Sequence, residues 1–188
     1  AVALAEHIYG SAESFIEAMN ARASELGMEN TSFVNTTGLD DGGYSSAKDV
    51  ALMTRELLTH PLIFDYTTIW MDTIRGGSFG LSNTNRLVRF YKGANGMKTG
   101  FTTEAMYCVS ATAKRDDMQL IAVVLGAPTS DERFAAAKKM LDFGFANYRT
   151  VTPELPKLED IKVKGGTNHS VKLSTTAPSL LVEKGKAE

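Results

Sequence analysis

The sequence has 188 residues, 43% of them hydrophobic, which suits one well-buried core and a partial second unit. The 20 lysines and arginines nearly balance the 22 aspartates and glutamates, and the net charge of -2 includes no basic run, so we expect no nucleic-acid partner. No apolar stretch approaches the length that crosses a bilayer, and no basic start followed by an apolar core indicates a signal peptide.

The histidines and the cysteine give no sign of a metal or another cofactor. His7, His60 and His169 lie in unrelated contexts, with no cysteine or carboxylate at the spacing of metal ligands. The single cysteine, Cys108, lies in an apolar, strand-like run and cannot form an internal disulfide. We therefore expect Cys108 to be a small core residue rather than a nucleophile.

Two helices are predicted at the start of the chain. The first nine residues, AVALAEHIY, favour helix from the first position and have no capping residue ahead of them, so we expect a fragment that begins inside a helix. Ser11 is placed to cap a second helix, and Gly27 is placed to end it.

A turn-rich loop over residues 35–44 precedes a third helix. Ser46, with Asp49 three residues later, predicts the cap of this helix, and His60-Pro61 ends it. Its apolar face is expected to consist of Val50, Met53, Leu57 and Leu58.

Two short strands are expected next. Residues 69–74 favour a strand, and Gly76-Gly77 favours a turn after it. The segment Asn83-Thr84-Asn85 then precedes a mixed apolar and basic run over residues 86–91, which we interpret as another strand.

Three consecutive strands and a helix are predicted in the centre of the chain. The strands cover residues 97–102, 105–113 and 118–125, and the four-residue polar link after the second is too short for a parallel crossover. Thr129 and Glu132 form a capping box that opens a helix. The expected buried face of that helix consists of Phe134, Ala137, Leu141 and Phe145. The pattern indicates a mostly antiparallel sheet with helices packed against it.

The composition changes after Tyr148. Alternating segments at residues 161–164 and 170–173 predict the beginning of a small β module, with too few strands to bury a sheet face alone. We therefore expect a first domain over residues 1–150, and a linker with the start of a second domain over residues 151–188. This second domain is expected to be truncated at its C-terminal end.

The central stretch carries the most chemistry. Lys-Thr-Gly, at residues 98–100, is the third element of the motif set used by serine acyl-transfer enzymes of the penicillin-recognising kind. Lys98 could orient neighbouring hydroxyls and assist proton transfer, and Thr99 could donate its hydroxyl to a substrate carboxylate. Both are therefore candidate catalytic residues.

The next residues complete the candidate site. Gly100 would let an extended peptide approach the backbone closely, which makes it a third catalytic candidate. The N–H of Phe101 could donate to an oxyanion, and Thr102 adds a second hydroxyl, so both are candidate substrate-binding residues. The alternative is structural, because a solvated lysine on an edge strand, β-forming threonines and turn glycines are common.

A complete site also needs a nucleophile. Ser45-Ser46-Ala47-Lys48 matches the first motif, Ser-x-x-Lys, but its serines lie at a helix start, where serine is the favoured cap. Neither Ser82 nor Ser130 begins a Ser-x-Asn motif. We therefore interpret the Ser-x-x-Lys match as accidental.

The chain resembles the D-alanyl-D-alanine carboxypeptidases, the low-molecular-mass penicillin-binding proteins, and is most similar to those of Gram-positive, spore-forming bacteria. The resemblance runs to about residue 150. It is carried by the segments AVALAEHIYGS, FVNTTGLDDGGYSSAKDVALMTRELLTHP and LSNTNRLVRFYKGANGMKTGFTTEAMYCVSATA.

The resemblance implies an α/β fold of the α+β kind. This is a β-lactamase/transpeptidase-like antiparallel sheet flanked by helices, here incomplete, followed by the start of the family's C-terminal β domain. In the family order, the nucleophile, its lysine base and the Ser-x-Asn motif would all precede residue 1. Only residues 98–101 then match active-site positions. Met106 departs from the family's usual glycine, and Lys48 stands where an aromatic residue is common.

The resemblance also implies a function for the parent protein. It would remove the terminal D-Ala from peptidoglycan stem peptides that end in D-Ala-D-Ala, through an acyl-serine intermediate, and would be inhibited by β-lactams. It would act outside the cytoplasm, secreted or anchored to the membrane by segments absent here, and this chain would be inactive alone. A β-lactamase or esterase of the same fold and a non-catalytic binding domain remain alternatives.

Overall fold

The computed structural model describes residues 1–39, 42–155, 158–167 and 170–186. Its contacts divide the chain into two units, residues 1–143 and residues 144–188. The domain boundary expected from composition, after residue 150, stays a prediction. His169 and residues 40 and 41 of the turn-rich loop lie outside the described residues. None of the helices in the described part of the chain is long and apolar enough to cross a membrane.

The first two helices form where their caps predict. Helix α1 covers Val2–Tyr9 and helix α2 covers Ala12–Glu25. The Ser11 side chain accepts a hydrogen bond from the backbone N–H of Ser14 at 3.1 Å, which satisfies one of the free donors at the start of α2. Gly27, two residues after the end of α2, has a φ of 75°, a left-handed conformation that glycine adopts without steric cost.

The third helix, α3, covers Ala47–Leu57 and begins as predicted, because Ser46 Oγ accepts from the N–H of Asp49 at 3.1 Å. Its most buried side chains, however, are the polar Asp49 and Thr54. Met53, expected on the buried face, is exposed. The expected apolar face is therefore wrong at Met53. The face of α3 that is buried is instead the one on which Asp49 and Thr54 find hydrogen-bond partners on other elements.

A short 3₁₀ helix at Pro61–Ile63 and helix α4 at Phe64–Thr67 follow α3. Strand β1, Met71–Ile74, pairs antiparallel with strand β2, Phe79–Ser82, in an exposed hairpin. The β1 prediction is confirmed with a later start.

The strand predicted over residues 86–91 is wrong, because helix α5 forms at Leu87–Phe90. Asn85 causes this difference, since its side-chain Oδ1 accepts from the N–H of Leu87 at 3.2 Å and so supplies a partner at the start of the turn. Four residues are too few for a periodic pattern to identify a helix.

The main sheet has three antiparallel strands in the order β3-β4-β5. Strand β3 is Ala94–Thr102, β4 is Met106–Arg115 and β5 is Met118–Ala127, each close to its predicted position. Strand β3 therefore lies at an edge of this sheet. The side chains of Val109, Ala111 and Ala113 on β4 and of Ala122 on β5 are buried.

Helix α6, Ser130–Asn147, begins at the predicted Thr129 cap, and Glu132 contacts the Thr129 hydroxyl rather than completing a capping box through the Thr129 N–H. Thr129 Oγ1 accepts from the N–H of Glu132 at 3.2 Å and donates to the Glu132 carboxylate at 3.0 Å. The predicted buried face is confirmed, because Phe134, Ala137, Leu141 and Phe145 are all buried.

Two antiparallel strand pairs form among the described residues of the second unit. Strand β6, Tyr148–Val151, pairs with β9, Leu180–Glu183, while β7, Ile161–Lys162, pairs with β8, Ser170–Val171. The predicted strands at residues 161–164 and 170–173 are therefore present but shorter.

Candidate active site

Strand β3 brings the five predicted site residues to the sheet edge. Side chains alternate along a strand, so Lys98, Gly100 and Thr102 share one face and Thr99 and Phe101 share the other. On β4, the residues opposite Lys98, Gly100 and Thr102 are, in that order, Ser110, Cys108 and Met106.

Lys98 and Thr99 have different environments. The Lys98 side chain is exposed, and its Nζ donates to the backbone carbonyl of Thr99. Thr99 is only 7% exposed, and its Oγ1 lies 2.6 Å from Thr84 Oγ1. Because each hydroxyl carries one proton, Thr99 can donate to a ligand if it accepts from Thr84.

Phe101 and Thr102 complete the edge. Phe101 is 54% exposed, and its ring centroid lies 4.4 Å from that of Tyr107. Thr102 Oγ1 accepts from the N–H of Ala105 at 2.9 Å, so it is tied to the turn between β3 and β4. Lys98, Gly100 and Thr102 therefore lie on one face of the edge strand, whereas the Thr99 hydroxyl is nearly buried on the opposite face beside Thr84.

The Asn83-Thr84-Asn85 segment makes hydrogen bonds to β3 that hold the strand in position. The sequence alone left the role of this segment open. Asn85 is 1% exposed, and its Nδ2 donates to the carbonyl of Gly96 at 2.9 Å. Asn83 Oδ1 accepts from the N–H of Asn85 at 2.9 Å. With the Thr84–Thr99 contact, the segment holds β3 at two points on either side of Lys98. Its three consecutive capping-type residues were the available signal.

Arg133, in the first turn of α6, is a site residue that the sequence reasoning missed. Its Nη1 donates to the carbonyls of Gly100, at 3.2 Å, and Cys108, at 3.1 Å. Burial lowers the pKa of this guanidinium, which is only 6% exposed. A cation in the first helical turn, where anions are favoured, was the one sequence signal for an unusual role.

A cleft of about 640 Å³ lies between the turn-rich loop and the ends of the strands. It is lined by Thr102, Cys108 and Leu125 of the strands and by Glu104 and Ala105 of the turn between β3 and β4. Cys108 is half-buried, and its Sγ donates to the carbonyl of Ala105 at 3.2 Å. The expectation that Cys108 is a core residue is therefore wrong, because the loop leaves its face of the sheet open.

The Ser45-Ser46-Ala47-Lys48 match has structural partners. Ser46 caps α3, and Ser45 Oγ lies 2.8 Å from Thr31 Oγ1. Asp49 Oδ2 accepts from Thr31 Oγ1 at 2.8 Å and from the N–H of Asn30 at 2.7 Å. Burial would raise the pKa of Asp49, but these hydrogen bonds outweigh it and hold the pKa below its ordinary value. These contacts favour the interpretation of the match as a helix start.

Met106, which stands where the resembled family usually has glycine, has a φ of 55°. This left-handed conformation costs a residue with a side chain of its size roughly 1–2 kcal/mol. Met106, which pairs with Thr102 across β3 and β4, therefore adopts a backbone conformation that glycine would adopt without strain.

In the described residues, no group of three histidine, cysteine, aspartate or glutamate side chains is placed to hold a metal ion.

Known proteins are similar to this chain in sequence. A sequence model of the peptidase S11 family, described as D-alanyl-D-alanine carboxypeptidase, matches residues 1–129. D-alanyl-D-alanine carboxypeptidase DacF of Bacillus subtilis is 47% identical over 98% of this chain and 49% of its own length. DacC of Escherichia coli is 41% identical over 82% of this chain and 39% of its own length. The chain thus spans half or less of these curated relatives.

Solved structures show the same similarity. Penicillin-binding protein 5 of Haemophilus influenzae has a TM-score of 0.80 and 34% identity, covering 98% of this chain and 55% of that one. Penicillin-binding protein D2 of Listeria monocytogenes, in its ampicillin-bound form, has a TM-score of 0.70 and 37% identity, covering 77% of this chain and 60% of that one. The fold class expected from the sequence and the resemblance that implied it are confirmed, and the chain belongs to the D-alanyl-D-alanine carboxypeptidase family, peptidase S11.

Proposed function

We propose that the protein carrying these residues is a serine-type D-Ala-D-Ala carboxypeptidase of peptidoglycan metabolism. A serine hydroxyl attacks the carbonyl of the penultimate D-Ala and breaks the peptide bond to the terminal D-Ala. The terminal D-Ala leaves as a free amino acid, its amine having taken up the proton of the serine hydroxyl, and water then hydrolyses the acyl-serine. Family membership supports this reaction, and the edge strand offers groups that suit its substrate. The serine and its lysine base are proposed to lie outside these 188 residues, so that this chain alone is inactive.

Each residue of the edge has a proposed role. Lys98 supplies a cation that orients hydroxyls in the cleft, and Thr99 donates its hydroxyl to the terminal carboxylate of the substrate. The N–H of Phe101 donates to the oxyanion that forms when the serine attacks. Thr102 contributes to substrate binding through its hydroxyl, beside the cleft that Cys108 lines.

The observation that carries the proposal is the fit of Gly100. Its φ lies outside the left-handed region, and a Cβ added there would meet only Cys108 Cβ, at 3.9 Å, which is ordinary van der Waals contact. The described fold would therefore accept alanine at this position. Because Gly100 belongs to the Lys-Thr-Gly motif on the edge strand, we infer that it serves a ligand that packs closely there, as an extended peptide does. Gly80 tolerates a Cβ equally well but belongs to no such motif.

Labelling with a fluorescent penicillin tests this function. The protein that includes its own nucleophile is expected to be labelled, while the 188-residue chain alone is not. Gly100→Ala is expected to slow labelling at least tenfold without loss of stability. Gly80→Ala is the matched control, since a Cβ there meets nothing within 4 Å and Gly80 lies on the exposed hairpin.

Three results would count against the proposal. Labelling of the 188-residue chain alone would identify Ser45 or another of its serines as a nucleophile. Equal labelling of Gly100→Ala and Gly80→Ala would remove the argument from close approach. Rapid loss of the label by hydrolysis would favour a β-lactamase or esterase of the same fold.

We also propose the partners and the location that this reaction requires. β-lactams are expected to acylate the serine, and Listeria penicillin-binding protein D2 has been solved in ampicillin-bound and cefotaxime-bound forms. Stem peptides lie outside the cytoplasm, so the protein is expected to act there, secreted or anchored to the membrane by segments other than these residues. Fractionation of the producing cells tests this location.

A further inference from the structure

Arg133 is a buried cation that the proposed roles do not yet use. Its side chain is 6% exposed, and its Nε is buried without a hydrogen-bond partner among the described residues. None of the ion pairs found in the described part of the chain involves it. Burying a guanidinium without a carboxylate is unfavourable, so the groups that it does contact need an explanation.

Those groups are two backbone carbonyls at the candidate site. Arg133 Nη1 donates to Gly100 O at 3.2 Å and to Cys108 O at 3.1 Å, and these two residues face each other across β3 and β4. The Gly100 carbonyl belongs to the same peptide group as the N–H of Phe101. A charged donor on a carbonyl oxygen increases the double-bond character of the peptide C–N bond and makes its N–H a stronger donor.

Neighbouring side chains hold the guanidinium in this position. Its Cζ lies 4.6 Å from the ring centroid of Phe134 and 5.4 Å from that of Tyr107, and both rings provide cation–π contact. Nη2 donates to Ser130 Oγ at 3.3 Å. The cation is therefore fixed by α6 and β4 before any ligand arrives.

We propose that Arg133 is a positioning residue that polarises and orients the Gly100–Phe101 peptide, so that the Phe101 N–H binds the oxyanion of the acylation step more strongly. The proposal rests on the proposed function for its consequence in catalysis. The polarised peptide itself is a property of the folded chain and can be measured without any substrate.

The direct test is the NMR signal of that peptide group in the protein with its nucleophile. Labelling glycine with ¹³C at the carbonyl and phenylalanine with ¹⁵N selects Gly-Phe pairs, which occur twice in these residues, at Gly100-Phe101 and Gly144-Phe145. Arg133→Met is expected to move the Phe101 amide proton upfield, since a weaker donor is less deshielded. The Gly144-Phe145 signal is the internal control and should stay in place.

Arg133→Lys separates polarisation from packing. It keeps a positive donor within reach of the carbonyl, so the Phe101 signal should lie between those of the wild type and Arg133→Met. If Arg133→Met does not fold, the shift in Arg133→Lys alone carries the test. An unchanged Phe101 signal in whichever variant folds would overturn the proposal.

Acylation kinetics provide the second readout. Arg133→Met should lower the rate constant of penicillin acylation about tenfold, less than the loss of a whole oxyanion donor, while initial binding of the antibiotic changes little. Arg133→Lys should recover part of the rate. Arg89→Met is the matched control, because it also removes an arginine, but an exposed one on α5. Equal rates in Arg133→Met and Arg89→Met would overturn the proposal, whereas a wild type that is never acylated would overturn the proposed function alone.

Discussion

Replacing Asn85 with alanine tests whether the Asn83-Thr84-Asn85 segment holds the site strand in place. The Asn85 side chain is almost fully buried and makes two hydrogen bonds, to Gly96 O at 2.9 Å and from the N–H of Leu87 at 3.2 Å. Alanine leaves one carbonyl and one N–H without partners in a buried place. Each unpaired group costs about 1–3 kcal/mol, so the free energy of unfolding should fall by roughly 2–6 kcal/mol.

The assay is urea unfolding followed by the fluorescence of Trp70, the single tryptophan. Asn35→Ala is the matched control, because Asn35 Oδ1 accepts from the N–H of Thr37 at 2.9 Å in an exposed place where water can substitute. We expect the control to lose about 1 kcal/mol or less. A loss in Asn85→Ala within about 0.5 kcal/mol of that in Asn35→Ala would refute the reasoning, since burial would then not decide the cost.

Three further predictions concern single side chains. Met106→Gly should raise stability by up to about 1 kcal/mol in thermal unfolding, since glycine adopts the φ of 55° without strain; no gain would contradict the strain. The pKa of Asp49 is below its ordinary value, so the ionised carboxylate stabilises the fold above about pH 4, and this contribution is lost as the pH falls through the lower folded-state pKa. The stability of Asp49→Asn should therefore depend less on pH in acid unfolding. Burial and the hydrogen bond to Asp142 raise the pKa of Tyr91 to about 12, so its stabilisation is complete below pH 10 and is lost as the pH rises toward 12. Tyr91→Phe should lack the tyrosinate absorbance that develops near pH 12, and an unchanged titration would contradict this cause.

Local signals in the sequence predicted most of the elements. The Ser11, Ser46 and Thr129 caps each place a helix start, because the side-chain oxygen and the free N–H that it satisfies are only two or three residues apart. The three central strands follow for a similar reason. The link between β4 and β5 was predicted to have four residues and has two in the structure, and either length permits only an antiparallel hairpin.

Features that depend on distant residues were not predictable. Asp49 and Thr54 are buried in α3 because their partners lie on a loop and on β4, where Thr54 Oγ1 is 2.7 Å from Ser110 Oγ. Helix α5 forms because Asn85 is fixed from both sides. No pattern within these segments contains that information.

The candidate site also contains residues that the sequence predicts and residues that only the fold reveals. The Lys-Thr-Gly motif predicts Lys98 and Thr99 as site residues because their spacing is fixed within one strand. Thr84, which contacts the Thr99 hydroxyl, is 15 residues away and was noticed only as part of a family segment. Arg133 is 33 residues from the carbonyl of Gly100 and was not noticed at all. Sequence patterns reveal the residues of one strand, whereas the groups that orient them depend on the fold.

Mapping the penicilloyl group by mass spectrometry tests the central claim most directly. The claim is that these residues form the substrate-binding edge of an acyl-enzyme whose nucleophile lies elsewhere. In the protein that includes its nucleophile, the adduct is predicted on a serine outside these 188 residues, and its formation should slow at least tenfold in Gly100→Ala. An adduct on Ser45 or on another serine within these residues would contradict the claim.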